Sequence, residues 1–205
     1  ARRAYLDRAR FLGDPDFVKN PLDRLLSESY AAEIRAKIDP AKAATSKDVQ
    51  PGMAPHEGTE TTHYSIVDAK GNAVSVTTTI NALFGAKVIA GDTGFFLNDE
   101  MDDFTTKPGV ANLFGLVQGK TNVIAPGKRP LSSMSPTIVT KDGKTFMVLG
   151  SPGGSRIITI AAQVIMNVVD HGMNIQEAVN APRIHHQWLP DQISVEPFAL
   201  SPDTA

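Results

Sequence analysis

The stretch Gly58–Val74, "GTETTHYSIVDAKGNAV", decides how the chain is read. From His63 onward it alternates in the manner of a strand, and Gly71 supplies a residue free to take positive φ in a tight turn. "HYSIVD" and "NAVSVTTTI" are therefore expected to pair as a hairpin around "AKGN". Ahead of the first strand stand Thr61 and Thr62. A β-branched residue opening a strand is ordinary, and on this stretch alone that reading is the stronger. The alternative is chemical. A threonine hydroxyl is a weak nucleophile unless a base takes its proton. A cut between Glu60 and Thr61 would give Thr61 a free α-amine, whose ordinary pKa of about 7.7–8.0 leaves a useful neutral fraction near neutrality.

Outward from the hairpin, the preceding segment changes character. "PAKAATSKDVQPGMAPHEGTE", Pro40–Glu60, has no apolar period and reads as a linker of about twenty residues, a length that is usually functional or disordered. Residues 1–39 read as helical. Asn20 is the expected N-cap, Pro21 the first helical residue, and Leu22, Leu25, Leu26, Tyr30 and Ile34 a face to bury. Downstream, "SPTIVTKDGKTFMVLG" predicts a second hairpin at Asp142-Gly143. An apolar helix follows from about Ser155 to Asp170, closed by Gly172, and a shorter one at "NIQEAVNA". The outline is α+β: two hairpins in a mostly antiparallel sheet with helices against it.

Composition narrows the partners. The 205 residues are 41% hydrophobic and 20% charged, enough to bury a core. A net charge of −2 gives no reason to expect nucleic acid or an anionic membrane. No apolar run reaches the roughly 18–20 residues of a membrane span. The absence of cysteine excludes disulfides and thiolate metal sites without fixing the compartment. A chain that starts at Ala1 and ends in "FALSPDTA" is expected to be a piece of a longer protein.

Four further stretches carry groups suited to chemistry. In "LGSPGGSRI", Gly153 and Gly154 lie between a strand and a helix, where successive N–H groups can cradle an anion or a tetrahedral oxyanion. A tight turn with Ser155 as N-cap is the equal alternative. "NDEMDDF" collects Asp99, Glu100, Asp102 and Asp103 without the pattern of a calcium loop. It reads as solvated loop charge, or as a grip for an ammonium group. Ser132 and Ser133 in "RPLSSMSP" offer two hydroxyls, to local backbone or to a polar substrate. His185 and His186 are adjacent, so their side chains diverge in extended chain, and no metal is assigned.

Taken in order, "TTHYSIVDAKGNAVSVTTTIN", "NDEMDDF", "PGKRPLSSMSPTIV", "GSPGGSRIIT" and "APRIHHQWLP" resemble the γ-glutamyltranspeptidases, as does "FLGDPDFVKNPL" near the start. The resemblance spans essentially the whole chain but only part of the family's length. It implies an N-terminal-nucleophile hydrolase with a four-layer αββα sandwich, present here as a fragment. Residues 1–60 would be the end of the large subunit, helical and then flexible, and 61–205 most of the small catalytic subunit. It implies self-cleavage at Glu60-Thr61, no cofactor, and export to the periplasm or beyond.

Residue by residue, the resemblance makes Thr61 the nucleophile, Thr79 its supporting hydroxyl, and Gly153 and Gly154 the oxyanion hole. Asn81 would bind the donor's glutamyl group, Asp103 with Glu100 its α-ammonium, and Ser132 and Ser133 its α-carboxylate. The donors would be glutathione and other γ-glutamyl compounds, the acceptors water, amino acids or peptides, and the partner the rest of the large subunit. That missing part would supply an arginine to the α-carboxylate, for which Arg2, Arg3, Arg8 and Arg10 are not substitutes. "KPGVANLFGLVQG" resembles the bacterial lid, with Phe114 where several members have tyrosine, which implies a looser gate. The nearest rival is a cephalosporin or glutaryl acylase, whose acyl chain lacks the α-amine. Asp103 speaks against it. A non-catalytic precursor or structural fragment, and a small-molecule binding module, are the rivals of other classes.

Overall fold

Asp142 (φ 52°) and Gly143 (φ 74°) both adopt left-handed backbone, the geometry a two-residue hairpin loop demands. They join β3 (Thr137–Lys141) to β4 (Lys144–Leu149), with a bulge between Val139 and Thr140. The other hairpin pairs β1 (Thr62–Val67) with β2 (Ala73–Thr78). Its loop is organised by Asp68, whose carboxylate accepts from the Lys70 and Asn72 N–H groups and from the Asn72 amide, while Gly71 turns at φ 86°. This is a computed structural model, and it describes residues 1–46 and 60–204. Residues 47–59 of the expected linker lie outside the described residues.

The chain divides into two compact units. One draws on Ala1–Pro55, Met101–Leu131 and His186–Gln192, the other on His56–Glu100, Ser132–His185 and Ile193–Ala205. In the second unit the core is Met147 and Leu149 of β4 packed on Ala161 and Val164 of helix α4 (Ile157–Val169) and on Ala178 of α5 (Ile175–Asn180). The α5 start is a complete capping box between Asn174 and Glu177. A short antiparallel pair, β5 (Ile184–His185) with β6 (Ser194–Val195), completes it.

The two hairpins, expected from the sequence to lie in one mostly antiparallel sheet, do not share a backbone ladder. Ser75 joins them with its side chain instead: its hydroxyl accepts from the Thr137 N–H and donates to the Leu149 carbonyl. Nor does Ser155 cap α4. Gly154–Arg156 form a 3₁₀ turn in which Ser155 is buried, and the α-helix begins only at Ile157.

In the first unit, α1 (Arg2–Phe11) precedes α2 (Leu22–Leu25) and α3 (Glu28–Ala36). The expected single helix from Asn20 is broken because Ser27 caps a fresh one, accepting from the Tyr30 N–H. Asn20 does not cap α2. Its amide ties back to Gly13, accepting from the N–H and donating to the carbonyl. Leu22 and Leu26 of the expected buried face are exposed. The C-terminal half of α1 sits against the turn at Lys120–Asn122: Gly119 N–H donates to the Ala9 carbonyl at 2.9 Å, and a Cβ on Gly119 would stand 2.8 Å from that oxygen.

Candidate active site

The register of the first hairpin builds the nucleophile pair. Thr62 faces Thr78 across the ladder, so the next residues outward, Thr61 and Thr79, stand opposite one another. A one-residue slip would send the two side chains to opposite faces. Thr61 Oγ1 donates to Thr79 Oγ1 at 3.2 Å, and the Asn81 N–H donates to the same Thr79 oxygen at 2.9 Å. Asn81 is 4% exposed and holds a left-handed φ of 75°, which asparagine tolerates better than most residues. Its amide donates to the Asp99 carbonyl, and the Asp99 carboxylate accepts from the Ala82 N–H. Thr61, Thr79 and Asn81 are thus brought together, with Asp99 bracing the turn behind them.

His63, two residues along β1, is a neighbour the sequence reading passed over. Its ring pairs with the Thr77 and Ser65 hydroxyls, and burial lowers its pKa, favouring the neutral imidazole. The ring occupies the space above Gly150, where a Cβ would lie 2.3 Å from ring atoms. No pattern in the sequence links two positions so far apart.

Gly153 has φ 128° and Gly154 φ 54°, conformations that favour glycine. They form the turn after β4, and the Gly153 carbonyl accepts from the Arg156 N–H. In the same unit Ser132 is exposed and its hydroxyl accepts from the Met134 N–H, while Ser133 is half-buried and gives its carbonyl to the Ser135 hydroxyl. Glu100 is half-buried at the start of a 3₁₀ turn, its N–H donating to the Asn98 side chain.

Asp103 belongs to the first unit. It is half-buried, and its carbonyl accepts from the Gln118 amide at 3.0 Å and the Asn122 amide at 2.7 Å. Phe114 lies in that unit too, 6% exposed, with its carbonyl accepting from the Gln187 amide. The adjacent histidines take different partners: His185 Nδ1 meets the Thr159 hydroxyl at 2.7 Å, and His186 meets Arg2 and Asp191. Among the described residues no cluster of three or more His, Asp or Glu could hold a metal ion.

The α+β frame is, in part, the fold of the N-terminal-nucleophile hydrolases. A family model described as gamma-glutamyltranspeptidase matches residues 1–205, and the chain belongs to that family. It is 66% identical over 203 residues to a glutathione hydrolase proenzyme of Pseudomonas sp. (strain A14), covering 99% of this chain and 35% of that protein. A crystal structure of a Helicobacter pylori γ-glutamyltranspeptidase mutant superposes with a TM-score of 0.68 at 61% identity, over 70% of this chain and 77% of that one. An acylase proenzyme of Pseudomonas sp. (strain SE83) is 43% identical over 181 residues, 88% of this chain and 30% of that protein. The chain therefore spans about a third of the length of such relatives.

Proposed function

We propose that this chain carries the catalytic centre of a γ-glutamyltransferase that also hydrolyses glutathione, formed when a precursor cuts itself between Glu60 and Thr61. The observation that carries the reading is the Thr61–Thr79–Asn81 hydrogen-bond chain at the mouth of the first hairpin. In the precursor, Thr61 Oγ attacks the Glu60 carbonyl carbon, the peptide C–N bond breaks, and the resulting ester is opened by water. Glu60 leaves as a carboxylate and Thr61 gains a free α-amine. That amine then takes the Thr61 hydroxyl proton as Oγ attacks the γ-carbonyl of the donor. Thr79, its oxygen already accepting from Asn81, turns its own O–H toward the forming alkoxide. The Gly153 and Gly154 N–H groups hold the oxyanion, and the proton passes to the departing amine. Water or an acceptor amine opens the γ-glutamyl ester and restores Thr61.

Asn81, Asp103 with Glu100, and Ser132 with Ser133 hold the glutamyl group, its α-ammonium and its α-carboxylate. Residues 1–60 end the large subunit and 61–205 form most of the small one, so the working enzyme is a heterodimer completed by the rest of the large subunit. Amino acids and peptides serve as acceptors, no cofactor takes part, and the enzyme works in the periplasm or outside the cell. No helix among the described residues is long and apolar enough to cross a membrane.

The similarity to an acylase favours one second reading, transfer of a glutaryl-type chain without the α-amine. Asp103 argues for the γ-glutamyl donor, because a carboxylate there makes sense mainly when an ammonium must be bound. The test is intact mass and N-terminal sequencing of the full-length protein, followed by amine release from γ-glutamyl and glutaryl anilides. The expected result is two chains, the smaller beginning at Thr61, with γ-glutamyl preferred. A Thr61→Ala variant should stay in one piece and be inactive. Full activity in an uncut Thr61→Ala protein would refute the proposal.

A further inference from the structure

Asn122 is 1% exposed, among the most enclosed side chains of the protein. A buried amide is costly unless each polar atom is matched. Here the nitrogen donates to the Asp103 carbonyl at 2.7 Å and to Gln118 Oε1 at 3.1 Å, while the oxygen accepts from the Leu131 N–H at 3.0 Å. Gln118, 4% exposed, sends its own nitrogen to the Asp103 carbonyl at 3.0 Å. Arg8 of α1, 7% exposed, spans the far side: Nη1 reaches Gln118 Oε1 at 3.3 Å and Nη2 the Leu131 carbonyl at 3.0 Å. Burial lowers the Arg8 pKa, and the charges of Tyr5 and Asp103 oppose that. The Asp103 carbonyl thus receives two donors, and the Leu131 residue is held at both its N–H and its carbonyl.

A fully satisfied buried polar network rigidifies the backbone it is bonded to. What this one fixes is the backbone of Asp103, and of Leu131, the residue before Ser132 in the chain. We propose that Asn122, with Gln118 and Arg8, forms a set of positioning residues that aim the Asp103 carboxylate at the donor's α-ammonium. This rests on the γ-glutamyl reading above. Asn122 also gives its carbonyl to the Thr105 N–H, so both flanks of Phe104 are tethered to one residue. Arg8 lies before the proposed cut and the other two after it. The end of the large subunit therefore holds part of the small subunit's substrate grip without touching substrate.

The experiment uses the full-length protein and its Asn122→Ala and Arg8→Lys variants, with kcat and KM measured on γ-glutamyl and glutaryl anilides. Losing a buried, fully matched amide should raise the γ-glutamyl KM about tenfold. The kcat should change by less than about threefold, and the preference for γ-glutamyl over glutaryl should shrink by the same factor as the KM change, since only the first donor carries the ammonium. Arg8→Lys keeps the charge and loses the two-armed fork. It should show the same pattern more weakly, and it serves alone if Asn122→Ala does not fold. A wild-type enzyme indifferent to the α-amine would overturn the γ-glutamyl reading and this inference together. A selective wild type whose variants keep their selectivity, or lose kcat with KM unchanged, would overturn this inference alone.

Discussion

Replacing Thr79 with valine keeps the β-branched shape at the end of the first hairpin and deletes one hydroxyl. That hydroxyl has two partners in the structure, Thr61 Oγ1 at 3.2 Å and the Asn81 N–H at 2.9 Å. The Asn81 N–H belongs to a residue that is 4% exposed, so water replaces the lost acceptor poorly. An unmatched buried donor costs about 1–3 kcal/mol of stability. The catalytic loss should be larger in proportion. A hydroxyl that turns toward the forming alkoxide acts as an oxyanion donor does, and removing one such donor typically lowers kcat by about 10²–10³. The same hydroxyl faces Thr61 in the precursor, so cutting at Glu60-Thr61 should slow as well. Cutting is followed by gel and intact mass over time, and kcat by amine release from a γ-glutamyl anilide, normalised to the amount of Thr61 N-terminus. Thr79→Ser, which restores the hydroxyl, should recover most of both. A Thr79→Val enzyme within about threefold of the wild-type kcat, cutting itself at the normal rate, would refute the role of the pair.

Gly150→Ala drives a Cβ into the His63 ring, a contact of 2.3 Å that must be relieved by movement. The expected loss is about 1–3 kcal/mol in thermal or denaturant unfolding, and the loss should be smaller in a His63→Ala background; equal costs in both would show the ring is not the obstacle. Asp14 is buried under Arg129, which donates to it from the backbone and from two guanidinium nitrogens, holding its carboxyl well below the usual range. A folded pKa depressed below the unfolded value of about 3.9 means stability that is complete well above that pH and drains away as the pH falls from there through the lower folded pKa. Asp14→Asn should therefore melt earlier at pH 7 and show a flatter decline on acidification; parallel melting curves down to pH 3 would count against it. If "KPGVANLFGLVQG" covers the pocket as its resemblance implies, Phe114→Tyr should lower the KM for the γ-glutamyl donor, and an unchanged rate profile would remove the looser gate.

Local signals in the sequence were sufficient for the punctuated elements. Asp142-Gly143 and Gly71 favour turns because left-handed backbone is cheap for few residues, and the Asn174-to-Glu177 spacing favours a helix start. The first hairpin's loop length also determines its register, and the register alone stands Thr61 opposite Thr79. The helical region near the start was less legible. Ser27 and Asn20 each had two uses, as a cap or as a tie to a distant backbone, and the surrounding chain chose between them.

Tertiary structure decided the support of the site. Arg8 and Gln118 are 110 positions apart, and His63 and Gly150 meet although nothing in either stretch calls for the other. Such contacts depend on where separate segments come to rest, and periodicity or capping preferences carry no record of that. The sequence by itself singled out groups suited to chemistry: the threonine ahead of the first strand, a glycine pair, an acidic cluster and a serine pair. Only the fold determined which backbone points are held, because a buried polar network exists only once its members are taken out of water together.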